Sequence, residues 1–155
     1  MFKSLEGNFD NPKVHELLSK HFVELRAASP EGSAHVLDIP GLKIPSIKFW
    51  SLWRDENLIG CGALKFLDEG HGEFKSIRIH DNFRNQGNGI NVINHLINEA
   101  KKLKIKRLSI ETGAGKFFIP ARKLFKKTGF TLCEPFAHYK EDINSVYLTK
   151  IIENS

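Results

Sequence analysis

Ile77-Arg78-Ile79-His80-Asp81-Asn82-Phe83-Arg84-Asn85-Gln86-Gly87-Asn88-Gly89 is the stretch on which the reading of this chain turns. An apolar strand ends, a polar loop with two glycines follows, and a helix begins at once. That helix is predicted from about Ile90 to Leu103, with Val92, Ile93, Leu96, Ile97, Ala100 and Leu103 as its buried stripe. Glycines let a backbone approach an anion closely, and the first amides of a helix point outward without partners. Arg84 adds a fixed positive charge at the rim. The segment therefore reads as a site for a phosphate or pyrophosphate. A Gly-x-Gly pair also occurs in ordinary turns, so the surrounding residues must decide.

Two common phosphate motifs fail. A dinucleotide fingerprint needs a small residue at position 92, where Val92 stands, and a Walker-type loop needs Gly at position 110 and Ser or Thr after Lys116, where Ile110 and Phe117 stand. Working outward, strands are predicted at Phe2 to Gly7, Ile47 to Arg54, Leu58 to Leu67 and Glu73 to Ile79, with turns at Asp55-Glu56-Asn57 and Glu69-Gly70. A first helix begins near Asn11, capped by that residue, with Pro12 at its first position and Val14, Leu17, Leu18, Phe22 and Leu25 on one face. Beyond the central loop come a strand Arg107 to Thr112, a helix Pro120 to Thr128, and strands Thr131 to Glu134 and Ser145 to Lys150. This is a mixed α/β layout with one βαβ unit at its centre.

With 155 residues, the chain suits one domain, and 41% hydrophobic against 26% charged residues excludes a disordered polymer. No apolar run reaches the roughly 18 residues that cross a bilayer, and the first residues carry no long apolar leader, so no membrane is expected and a cytoplasmic location is. Cys61 and Cys133 are too few for a disulfide framework. The net charge of +5 suits an anionic ligand of some kind without choosing it. The lysine-rich runs 101–107 and 122–127 keep core spacing in their apolar residues, so they read as solvated helix faces and no nucleic-acid partner is expected. Seven histidines show no metal-ligand spacing, and His71-Gly72-Glu73 lacks the Pro-Cys-x-x-Cys that a zinc deaminase requires. No metal is predicted.

One loop pattern does fit: Arg84-x-x-Gly87-x-Gly89, after a strand and before an amphipathic helix. With it the chain resembles the GCN5-related N-acetyltransferases (GNAT), whose acyl-coenzyme A loop has the form Arg/Gln-x-x-Gly-x-Gly/Ala. The resemblance extends over nearly the whole chain. It includes Ala121-Arg122-Lys123-Leu124-Phe125-Lys126-Lys127-Thr128-Gly129-Phe130, similar to the family's Ala-x-x-Leu-Tyr-x-x-x-Gly-Phe. A bacterial, small-molecule type is suggested by Glu73, Lys75 and Ser76 before the loop and by Leu108, Ser109, Glu111, Thr112 and Gly113 in the next strand. It implies a single domain over residues 1–155: a mixed, mostly antiparallel sheet, flanked by helices, whose fourth and fifth strands splay apart. Acetyl-CoA would be the co-substrate. Its pantetheine arm would run along Ile77, Arg78 and Ile79, its pyrophosphate would sit on the amides of Gln86, Gly87, Asn88, Gly89 and Ile90 beside Arg84 and Asn85, and Phe125 would flank it. Many members are homodimers, so a homodimer is an expectation here.

The reaction implied is direct attack of a small molecule's primary amine on the thioester, with a backbone amide near Ile79 as oxyanion donor. The family's tyrosine acid has its matching position at Phe125, which has no proton to give. A thiol of pKa about 8.5 leaves as thiolate near neutrality at a cost of roughly 2 kcal/mol, whereas deprotonating an ammonium of pKa about 10.4 costs roughly 4.6 kcal/mol. The base thus matters more than the acid. Glu73 matches a position where some members place a base; Glu111 is the second candidate, as base or ammonium anchor, and Tyr139 is the candidate replacement acid. His35, Asp38, Trp50 and Lys75 are candidate substrate-pocket residues. The alternative motivated by Phe125 is a module that binds acyl-CoA without efficient turnover.

Overall fold

The structure is a computed structural model and describes residues 3–152. The expected first strand begins at Phe2, which lies outside the described residues; within them β1 spans Lys3–Glu6. The other strands are β2 (Ile47–Arg54), β3 (Asn57–Asp68), β4 (His71–Ile79), β5 (Arg107–Gly113), β6 (Thr131–Leu132) and β7 (Ser145–Ile151). Helices are α1 (Pro12–Ala28), α2 (Ile39–Leu42), α3 (Asn88–Lys102) and α4 (Ile119–Lys127). The strands form one sheet in the order β1-β2-β3-β4-β5-β7-β6. Every pairing is antiparallel except β4 with β5, the parallel pair that α3 crosses over to make.

Strand alternation divides the apolar residues between two cores. On one face Leu52, Ile59, Leu64, Phe74, Leu108, Ile110 and Leu148 pack under Val92, Ile93, Leu96, Ile97 and Ala100 of α3 and Phe125 of α4. On the other, Phe49, Trp53, Cys61 and Ala63 meet Val14, Leu17 and Leu18 of α1 and Leu42 of α2. The α1 start follows its sequence signals, since the Asn11 side chain accepts from the Lys13 amide and Pro12 occupies the first turn. Its buried face differs in one place: His21 is buried, whereas Phe22 is only half-buried.

Two irregularities shape the centre of the sheet. Pairing of β4 with β5 stops after three steps, His71↔Arg107, Gly72↔Leu108 and Glu73↔Ser109. Past that point β4 continues along β3 while β5 continues along β7, so the two strands diverge as the family resemblance implies. The second is a bulge in β4, where Ser76 has φ 54° and the register moves from Ala63↔Lys75 to Cys61↔Arg78. The extra residue turns Arg78 to the face that carries Glu73 and Lys75 and leaves Phe74, Ile77 and Ile79 toward α3.

Candidate active site

At the mouth of the gap, Gly87 is the cap residue of α3 in a left-handed conformation, φ 81°. Glycine adopts that geometry without the penalty a Cβ brings. No side chain caps the helix, so the amides of its first turn are left for a ligand. Gly89 serves packing instead: a Cβ there would lie 2.7 Å from Leu124 Cδ2 of α4. Around the loop, Arg84 Nε donates to the Ile79 carbonyl at 3.2 Å, and the buried Asn88 donates from Nδ2 to the Phe83 carbonyl at 2.9 Å. Gln86 Nε2 donates to the Asn82 carbonyl at 3.2 Å.

The gap opens as a cavity of about 540 Å³. Its β4 wall includes Ile77, Ile79 and the backbone around Arg78; its β5 wall includes Ile110 and Glu111; Arg84, Asn85, Gly87, Gly89, Ile90 and Phe125 line the cofactor end. Gln86 and Asn88 do not line it, because their side chains are tied into the loop, and what they offer is backbone. Arg78 departs further from expectation. Its guanidinium is buried and pairs with Glu24 at 2.7 Å and Asp81 at 3.4 Å, so only its backbone faces a ligand. Lys123 and Lys127 of α4 line the same cavity, cations that the sequence pattern placed on a solvated face.

A second cavity, about 800 Å³, shares His35, Val36 and Lys75 with the first and is lined besides by Lys65, Glu73, Tyr139, Lys140, Glu141, Asp142 and Tyr147. Glu73 is buried at its floor, 2% exposed. The Tyr139 hydroxyl donates to Glu73 Oε2 at 2.6 Å, and Lys75 Nζ donates to the same oxygen at 3.3 Å and to Tyr139 Oη at 3.1 Å. Both donors converge on Oε2, and Oε1 has no hydrogen-bond partner among the described residues. Burial first, then the charge of Glu73, pushes the Tyr139 phenol far above its ordinary range. Burial likewise raises the Glu111 carboxyl, with Ser145, His35 and Lys75 pulling it down. The His35 ring meets Tyr139 edge-on at 5.0 Å, and Tyr147 packs on Tyr139 at 5.6 Å. Ser33 Oγ donates to Asp142 Oδ2 at 2.7 Å, tying the α1–α2 connection to the β6–β7 loop that carries Tyr139.

Glu73, Glu111, Tyr139, His35 and Lys75 are thus brought together as the sequence suggested. Asp38 and Trp50 are not. Asp38 is exposed and caps α2, accepting from the Gly41 amide at 2.8 Å. Trp50 is 3% exposed within the core on the α3 side, since both faces of β2 are covered. Tyr147, Ser33, Lys65 and the α4 lysines were missed, and their roles depend on register and loop packing that no local pattern carries.

A parallel strand pair thus parts above an uncapped, glycine-initiated helix, with a buried carboxylate beside the gap, which is the arrangement the family resemblance implies. Residues 11–130 match the family model described as acetyltransferase (GNAT) family, and the chain belongs to that family. It is 46% identical over 138 residues to the N-acetyltransferase YsnE of Bacillus subtilis, covering 89% of this chain and 91% of the relative. It is 38% identical over 149 residues to the N-acetyltransferase YedL of Escherichia coli, covering 96% and 94%. Among solved structures, a Bacillus subtilis acetyltransferase in complex with CoA superposes with a TM-score of 0.71 at 21% identity, covering 99% of this chain and 100% of the other. Among the described residues no helix is long and apolar enough to cross a membrane.

Proposed function

We propose that the protein transfers an acetyl group from acetyl-CoA to the primary amine of a small molecule by direct attack. The observation that carries this reading is that the two cavities adjoin: His35, Val36 and Lys75 line both, so the gap between β4 and β5, which starts at the α3 N-terminus, lies beside the cavity that holds the buried carboxylate of Glu73. The diphosphate would lie on the amides that start α3, with Arg84, Lys123 and Lys127 around it. Pantetheine would follow the side of β4 that β5 leaves unpaired, and the thioester would reach the junction at Lys75 and His35.

The acceptor enters from the second cavity. Glu73 Oε1 removes a proton from the amine, directly or through one water, while Tyr139 and Lys75 hold Oε2. The amine nitrogen bonds to the carbonyl carbon, a backbone amide near Ile79 receives the developing oxyanion, and the C–S bond breaks. An oxyanion donor of this kind is worth about 3 to 4 kcal/mol. The Tyr139 hydroxyl is spent on Glu73 Oε2 at 2.6 Å, so its part is to orient Glu73, and the thiolate takes its proton from water. Glu111, on the opposite lip of the gap, anchors the incoming ammonium.

The test is titration of acetyl-CoA into the purified protein, followed by a panel of primary amines monitored by thiol release. Micromolar binding with amine-dependent thiol release is expected. Binding without release across a broad panel selects the turnover-free module that Phe125 motivates; absence of binding removes both readings.

A further inference from the structure

Lys65 stands directly across the β3–β4 ladder from Glu73. Opposed residues in antiparallel strands have Cβ atoms roughly 4.5 to 5.5 Å apart, and opposite charges so placed ordinarily pair. Here they do not. Oε2 of Glu73 is occupied by Tyr139 and Lys75, and the Lys65 ammonium has no hydrogen bond or ion pair among the described residues, although the side chain is half-buried and lines the second cavity. A partly desolvated cation without a counterion is unfavourable until an anion arrives.

The other charges of that cavity do not supply one. Asp142 accepts from Ser33 Oγ and from the Asn144 amide, and Glu141 and Lys140 lie exposed and adjacent at the rim, where their charges offset each other. The inward wall therefore presents one uncommitted cation, Lys65, one cross-strand step from the oxygen assigned to the amine.

We propose that the acceptor carries a carboxylate beside its amine, and that Lys65 selects it. This rests on the acetyl-transfer reading above. An α- or β-amino acid, with one or two carbons between nitrogen and carboxylate, spans the step from Glu73 to Lys65. A diamine or polyamine would bring a second cation against Lys65 and Lys75 and is disfavoured.

The experiment compares free amino acids, β-amino acids included, with their carboxamides, using wild type, Lys65→Gln and Lys65→Arg. For wild type, kcat/KM is expected to favour the best acid over its amide at least tenfold, although a larger fraction of the amide's less basic amine is unprotonated near neutrality. Lys65→Gln collapses that ratio through KM for the acid, with kcat and acetyl-CoA affinity little changed, and Lys65→Arg retains most of it. Calorimetric binding of the same pairs to CoA-saturated protein is read alongside. Acid-selective binding that Lys65→Gln abolishes, without turnover, sustains the carboxylate site and removes the transferase reading. Turnover with equal use of acid and amide does the reverse. A wild-type preference for amides, a ratio unmoved by Lys65→Gln, or binding of neither class overturns the proposal.

Discussion

Replacing Gly87 separates what the backbone does at the head of α3 from what charge does there. A Cβ built on Gly87 meets nothing within 4 Å, so Gly87→Ala introduces no clash; its effect is conformational, because φ is 81°. A left-handed residue with a Cβ costs about 1–2 kcal/mol. At this chain length each kcal/mol lowers Tm by roughly 2–4 °C, so a loss of about 2–8 °C is expected. Gly87→Glu carries the same strain and adds a carboxylate beside the proposed diphosphate site. At a separation of roughly 6 Å and an effective dielectric near 20, each charge pair is repelled by about 3 kcal/mol. Since about 1.4 kcal/mol is tenfold in affinity, acetyl-CoA binding should weaken at least 100-fold. Gly87→Ala should weaken it less than about tenfold on the same scale. Thermal melting and calorimetric titration of the three proteins read both numbers. A folded Gly87→Glu protein that binds acetyl-CoA like wild type would refute the placement of the diphosphate on α3.

Glu73→Gln keeps the shape of the buried side chain and removes its basicity; kcat/KM should fall by about 10² to 10⁴ while acetyl-CoA affinity holds, and an unchanged rate would remove Glu73 as base. Tyr139→Phe deletes the 2.6 Å hydrogen bond to a buried carboxylate and should cost about 1.5–3 kcal/mol in chemical denaturation. Because the folded phenol is pushed up, the unfolded chain releases that proton first, so wild-type stability should decline as pH rises above about 10, with the slope reduced in Tyr139→Phe. His21 is the acid-side counterpart: burial, helped by the charge of Arg78, lowers it from 6.5 to about 3. The unfolded chain binds a proton below pH 6.5 that the folded one refuses, so stability present above that pH is lost progressively toward pH 3. By pH 5 the loss should be about 2 kcal/mol, and His21→Leu should remove it; a His21→Leu protein as acid-sensitive as wild type would sink the assignment.

Much of this architecture was legible because its signals are local. Strand β2 runs exactly over Ile47–Arg54 as alternation and its flanking turns indicate, and α1 starts where Asn11 and Pro12 say it should. α3 begins at Asn88, two residues before the predicted start at Ile90, because Gly87 itself is the cap. The loop geometry was visible for the same reason, since glycine, arginine and helix start are contiguous. The rest depends on tertiary placement. Simple alternation along β4 would put Ile77 and Ile79 beside Glu73 and Lys75; the inserted residue at Ser76 reverses this, and no motif announces it. Trp50 reads as a pocket wall until α3 is seen to cover it, and Asp38 reads as a pocket acid until Gly41 is seen to follow at capping distance. Lys65 attracts no notice in the sequence, since only register sets it opposite Glu73.

The seam between β4 and β5 has a mechanical meaning. Among the described residues, three paired steps, with the Gly70 carbonyl accepting from the Lys106 and Arg107 amides at their closed end, make the main-chain pairing between the half of the sheet made of β1 to β4 and the half made of β5, β7 and β6. A pantetheine arm lying in the opening, as proposed, would prolong that ladder and take the place of a strand the polypeptide lacks. Occupancy would then fasten two plates that are otherwise joined at one end. The sheet should breathe as a hinge when empty and as a single board when loaded, with the slowest amide exchange gained along Ile77 to Ile79 and Ile110 to Thr112.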